Sequence, residues 1–249
     1  MRLLLDTYSL LTRVGVAGIV FLPPLLVLAY HFPELRVYNH ESGFEALLLS
    51  SSVLGVIMFL VGALVRSHCR KGEKGLIEKL GGWPTSVLLR HSDWRLDPHT
   101  KRRYHHTLTE LLPSVKMPIA DEEMEDTKEA DKVYSAHIRR LRALTRDKSR
   151  YPLVFKELTN YGFARNLYLC RTNALLLLGG SLILHTRLVW RGTGLSVVTV
   201  TDWGVYGFLS VLVMLWVFFI DVEFVKGPAY DYAERLLETL DIMDVPQKS

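Results

Sequence analysis

His91, His99, His105 and His106 lie close together in the chain, and residues of this type hold zinc or move protons. His99 and His106 are seven residues apart, so a helix would put them on one face with His105 beside them. No His-x-x-x-His or Cys-x-x-Cys spacing accompanies them, and Lys101, Arg102 and Arg103 would repel a divalent cation. The stretch therefore reads as a basic helix that gains charge as the pH falls, with no metal site expected. A membrane-surface enzyme acting on lipid or nucleotide would have to use His91, Asp93, His99, His105 or His106. No phosphate-binding loop, nucleophile elbow, zincin helix or dinucleotide fingerprint occurs in the sequence. The expectation is a non-enzymatic protein with no catalytic residue and no cofactor. Cys69 and Cys170, the two cysteines, each flank an apolar segment and read as inert thiols.

Binding chemistry is better represented. Of the 30 Lys and Arg, 22 fall between Arg66 and Arg171, against 14 Asp and Glu there, while the rest of the chain is net acidic. Such a surplus attracts anionic lipid head groups, a nucleotide or nucleic acid, or an acidic protein. The residues expected to bind a ligand or partner are Arg102, Arg103, Arg139, Arg140, Tyr161, Arg165 and Asn166. The last three fall on one helical sector ahead of an apolar segment.

Four segments nearly free of charge have to position these groups. The expected spans are 14–31, 44–65, 172–188 and 203–220. Pro23 and Pro24 near the middle of the first predict a kink that could act as a hinge. A cleavable signal peptide competes for this segment, but no small-x-small site follows the apolar run, so it reads as retained. In the second, Ser51 and Gly55 are small residues four apart, which permits close helix approach. The third has only 11 uninterrupted apolar residues, Ala174 to Leu184, and needs Arg171 and Arg187 to snorkel; a re-entrant segment also fits. No Asp, Glu, Lys or Arg falls inside these four ranges except Glu45 and Arg187 near their edges.

An even number of crossings puts both termini and the central region on one side, with 27 Lys and Arg there and 3 opposite; the positive side is cytoplasmic. The fold class expected is an all-α integral membrane protein, with four transmembrane helices and a mainly helical cytoplasmic domain inserted between the second and third. Its parts are a hairpin over 1–66, a basic domain over 67–170, a second hairpin over 171–221 and an acidic amphipathic tail over 222–249.

Within the basic domain, the second span continues to Gly81 and Gly82, and 86–89 is strand or one helical turn. Asp97-Pro98 starts a helix running to Pro113, and 114–120 is a loop. The acidic block 121–126 leads into a helix over 127–147. A further helix from Tyr151 is expected to run unbroken into the third span as far as Leu184. The tail helix, opposite in sign, is expected to fold back on the basic domain.

The phrase Phe155-Lys156-Glu157-Leu158-Thr159-Asn160-Tyr161-Gly162-Phe163-Ala164-Arg165-Asn166, with this layout, resembles uncharacterised bacterial membrane proteins, some of them similar in architecture to anti-phage defence effectors. The resemblance implies a bacterial inner membrane and an immunity role, and maps no functional residue. The function expected is an effector or sensor, homo-oligomeric, whose basic domain binds a partner or anionic ligand and rearranges or oligomerises the membrane helices. The alternatives are a scaffold subunit that recruits a soluble protein, and the membrane-surface enzyme above.

Overall fold

The structure, a computed structural model, describes residues 7–32, 44–193 and 198–243, and among these the side chains of residues 7, 44–58 and 193 lie outside the description. In chain order the elements are α1 Thr7–Ser9, a π-helical turn Leu10–Gly15, α2 Val16–His31, α3 Phe44–Lys79 and α4 Pro84–Leu89. Then come α5 Pro98–Leu111, α6 Ala120–Glu125, α7 Thr127–Leu144, α8 Pro152–Leu169 and α9 Arg171–Thr193. α10 Val200–Phe218, α11 Val222–Leu237 and a 3₁₀ turn Glu238–Ile242 complete the described chain, in which every regular element is helical.

The chain divides into two compact units: residues 1–73 with 162–224, and residues 74–161 with 225–249. The tail is therefore part of the second unit and not a domain of its own. Three helices, α3, α8 and α11, supply residues to both.

In the first unit, three helical stretches among the described residues, not the four expected, are long and apolar enough to cross a membrane: Leu10–His31, Arg171–Gly192 and Val200–Phe218. The expected span 44–65 falls on α3, where side chains are described only from Phe59 onward, so Ser51 and Gly55 lie outside the described residues. α9 is the middle helix, in contact with both α2 and α10. Val16, Val20 and Val27 pack with Ala174, Leu178, Leu209 and Trp216 in one apolar cluster. The opposite faces stay uncovered: Leu25 is 57% exposed, Ile183 71% and Phe218 67%. A helix apolar all round with one face bare is unfavourable in water, at about 25 cal/mol per Å² of apolar surface.

Several expectations on these helices need correction. Pro23 and Pro24 sit inside α2, which is assigned as one helix through them, and a π turn precedes it. The third segment is one helix of 23 residues, so its polar ends are accommodated without a re-entrant hairpin. It is not fused to α8: the helix breaks at Cys170, whose N–H is shared between Asn166 O (3.0 Å) and Leu167 O (3.2 Å). Charged residues lie within the spans as observed: Arg13 in the first, Arg171, Arg187 and Arg191 toward the ends of the second, and Asp202 in the last; the first and last begin earlier than hydropathy alone places them.

The second unit is built on α7. Tyr134, Ile138 and Leu141 are almost fully buried there, and Leu88, Leu89, Leu108, Leu236 and Leu237 close around them. Each such leucine contributes about 1.5–3 kcal/mol by leaving water. Asp97 caps α5 by accepting from His99 N and Thr100 N, with Pro98 in the first turn, and Asp126 caps α7 through Lys128 N and Glu129 N. α3 ends in a Schellman arrangement: Gly82 N donates to Ile77 O and Gly81 N to Glu78 O, with φ of +80° and +130° at Gly81 and Gly82. Residues 86–89 belong to the short helix α4, and the acidic block is itself a helix, α6. Asp241 of the tail receives the Arg103 Nε hydrogen bond at 2.9 Å, so the opposite charges of tail and basic region meet.

Candidate functional site

Two polar clusters, one in each unit, bring together side chains able to bind or react; in the first, Thr12, Cys69 and Asn166 are buried while Arg66 and Arg70 are exposed. The first begins at the π turn. Within it the Thr12 carbonyl accepts from Asn166 Nδ2 at 2.8 Å, and Asn166 is 3% exposed. Asn166 Oδ1 in turn accepts from Arg165 Nε at 3.3 Å, and Arg165 Nη1 pairs with Glu73 Oε1 at 2.6 Å. Thr12 thus fixes Asn166, Asn166 orients Arg165, and the adjacent Arg13 is turned to the same place. Arg66 and Arg70, one helical turn apart on α3, reach it from a third direction. Together with Tyr8 they line a cavity of about 180 Å³.

Four guanidinium groups line this cavity, and among the described residues Glu73 is the one carboxylate lining it. Arg13, Arg66 and Arg70 make no ion pair among the described residues, and Arg13 feels Arg66, Arg165 and Arg70 as like charges. The floor holds Cys69, whose Sγ is 3.9 Å from Cys170 Sγ; the hydrogen bond with Cys170 and burial push the Cys69 thiol up. A thiol held protonated is a poor nucleophile and metal ligand.

The second cluster lies in the other unit, around the loop after α4. Glu123 is 2% exposed, and its carboxylate accepts from His91 N, Ser92 N, Ser92 Oγ and Tyr134 Oη at 2.6–3.1 Å. Burial alone would raise its pKa, but these donors more than offset it and hold Glu123 below the usual carboxylate range. Lys101, also buried, donates to the carbonyls of Arg90 and Asp93, and burial lowers its pKa. His91 Nε2 contacts Pro118 O at 3.1 Å, and His105 Nε2 contacts Leu89 O at 2.7 Å. The His91 and His105 rings meet edge to face at 4.9 Å, and burial takes His105 down to about 4. A cavity of about 530 Å³ opens beside them, with Trp94 and Arg102 at its edge.

Comparison with known protein families, curated proteins and solved structures finds no match. Function has to be read from the two clusters themselves. In the Glu123 cluster each polar group is engaged in holding the loop 90–97 against α5, α6 and α7. His91, Asp93 and His105 are brought together, whereas His99 and His106 are not, and no group of His, Cys, Asp and Glu able to hold a metal is present among the described residues.

The residues expected to bind are dispersed. Arg165 and Asn166 stand in the arginine cavity. Tyr161 does not join them: it is buried in the second unit and stacks on Tyr232 at 6.1 Å between ring centroids. Arg102 edges the Glu123 cavity, Arg103 is paired with Asp241, and Arg139 and Arg140 are exposed on α7 outside both cavities. Sequence reasoning missed Tyr8, Arg13, Arg66 and Arg70. The signal available was that Arg13, Arg66 and Arg165 each stand where an apolar stretch meets a polar one.

A third polar cluster closes the far end of the three candidate spans. Tyr30 Oη donates to Asp202 Oδ1 at 2.9 Å, His31 Nε2 and His185 Nδ1 are 2.8 Å apart, and His185 is fully buried with Nε2 3.4 Å from Asp202 O. Asp202 also accepts from Thr199 N and Thr199 Oγ1, capping α10. α2, α9 and α10 are thereby tied together at that end.

Proposed function

We propose that this chain is a multi-pass protein of the bacterial inner membrane, with the second unit and both termini in the cytoplasm. In this reading it is a non-enzymatic effector or sensor: occupation of its basic side by a partner or anionic ligand rearranges or oligomerises the membrane helices and perturbs the bilayer. The apolar first part of α3 supplies a further span on the strength of its sequence, restoring an even number of crossings and the 27-to-3 distribution of Lys and Arg. The observation that carries the reading is the continuity of α3, α8 and α11, each of which gives residues both to the apolar unit and to the charged one. The resemblance to defence effectors gives the role its biological direction.

The test is leakage of a trapped dye from liposomes containing the purified full chain, with subunit crosslinking followed in parallel. Leakage that rises with oligomerisation when phosphorylated ligands or acidic proteins are added supports the proposal. A bilayer that stays sealed while a soluble partner copurifies in fixed stoichiometry replaces it with a scaffold.

A further inference from the structure

We infer that the arginine cavity of the first unit is a binding site for a phosphate group carried by a membrane lipid or by a small soluble molecule. This deepens the reading above by naming the ligand chemistry and moving the site from the basic domain to the end of the helical bundle. Arg13, Arg66, Arg70 and Arg165 come from three separate segments and converge on one space, while arginines that merely snorkel would each point to their own patch of head groups. Convergence costs like-charge repulsion, which a tetrahedral dianion in the middle reverses. The planar fork of each guanidinium matches two phosphate oxygens at a time.

The internal balance of the site leaves room for such a ligand. Glu73 answers Arg165, and Asn166, itself held by Thr12 O, keeps that pair in place. Arg13, Arg66 and Arg70 are left without an ion pair among the described residues, and Tyr8 lines the same space. A volume of about 180 Å³ corresponds to about six water molecules, enough for a phosphate and a few waters but not for a nucleoside. The ligand is therefore gripped by its phosphate while the rest of it lies outside. Beside this segment of α3, Val65, His68 and Lys71 line an apolar groove of about 570 Å³ with Phe21, Leu176 and Leu177, a surface suited to an acyl chain.

Titration of the full chain in a neutral detergent, read by thermal unfolding, tests the site. One arm adds inorganic phosphate against chloride at matched ionic strength; the other compares nanodiscs of phosphatidylcholine with and without phosphatidic acid. Phosphate or phosphatidic acid should raise the melting temperature, and the double variant Arg66→Gln/Arg70→Gln should need at least about 100-fold more ligand, a factor of about ten for each lost charged contact. Arg139→Gln/Arg140→Gln, on the exposed face of α7, should leave the titration unchanged. A response to inorganic phosphate assigns a soluble source, and a response to phosphatidic acid alone assigns a lipid. Should the double variant fail to fold, Arg13→Gln repeats the titration, with about a tenfold weakening expected. The inference is overturned if neither ligand shifts the wild type, or if the arginine variants respond as the wild type does. Binding is read here without any leakage, so a sealed liposome with a responsive arginine cavity rejects the effector proposal and keeps the site.

Discussion

The Glu123 cluster and the arginine cavity are both polar, both partly buried and both built from three or more segments, yet their balance of charge is opposite in kind. Around Glu123 the donors come from the backbone of His91 and Ser92, the Ser92 hydroxyl and the Tyr134 phenol, and the nearby Lys101 is spent on two carbonyls. The account closes internally, so the cluster fixes a loop. Around the arginine cavity, among the described residues, four cations face one carboxylate and three of them lack an ion pair. A buried polar group whose partners are all internal organises the fold, whereas Arg66 and Arg70 are exposed and their charge is open to something from outside.

The sharpest way to break this comparison is Glu123→Ala, which leaves four donors facing a void and should lower the stability of the second unit by about 3–5 kcal/mol, measured by chemical denaturation. His185→Ala, at the far end of the spans, removes the link between His31 and Asp202 and should cost about 1–3 kcal/mol, read as a lower melting temperature in detergent. Gly162→Ala should cost about 1–3 kcal/mol by overpacking, since a Cβ there would lie 2.8 Å from Tyr8 Oη and 3.0 Å from Thr12 Cγ2. Arg70→Gln should change unfolding by less than about 0.5 kcal/mol, or stabilise slightly at low salt, because it relieves repulsion in the unliganded cavity. A large loss from Arg70→Gln would mean that the cavity is structural after all.

Acid should separate the clusters further. His105 is held neutral in the fold, down to about 4 from an ordinary 6.5, so its contribution is complete above 6.5 and falls as the pH drops toward about 4. Glu123 is depressed below its ordinary 4.5, so its contribution is complete above that value and is lost as the pH falls below it. Melting of the second unit between pH 7 and pH 3 should therefore decline in two stages, and Glu123→Gln should flatten the second.

Local chemistry made much of the fold legible in the sequence. Asp97-Pro98 starts α5, Gly81 and Gly82 stop α3, and the apolar spacing of Tyr134, Ile138 and Leu141 marks the core face of α7. Other features depended on tertiary partners. Nothing local in Cys170 breaks a helix, and the acidic run over Ala120–Glu125 becomes helical because Glu123 turns inward to Tyr134 while Glu122 reaches back to Ile119 N. Of the residues that line the candidate cavity, Arg165 and Asn166 are the two that the sequence singles out. Arg13, Arg66 and Arg70 look in sequence like ordinary flanking charges, and only the packing of α3 beside the π turn brings them to one point. Tyr161 was misgrouped because helical periodicity treats neighbouring residues as one surface, while the chain passes from one unit to the other between Tyr161 and Gly162.

The π turn at Leu10–Gly15 has one further consequence. Such a turn holds one residue more than the surrounding α-helix needs, and deleting a single residue within it would let the winding relax to the ordinary pitch. Everything ahead of a deletion at Leu10 or Leu11 would then swing by about 100° around the helix axis, carrying Tyr8 away from Gly162. One codon removed upstream of Arg13 thus withdraws Tyr8 from the arginine cavity while every one of its charges stays in place.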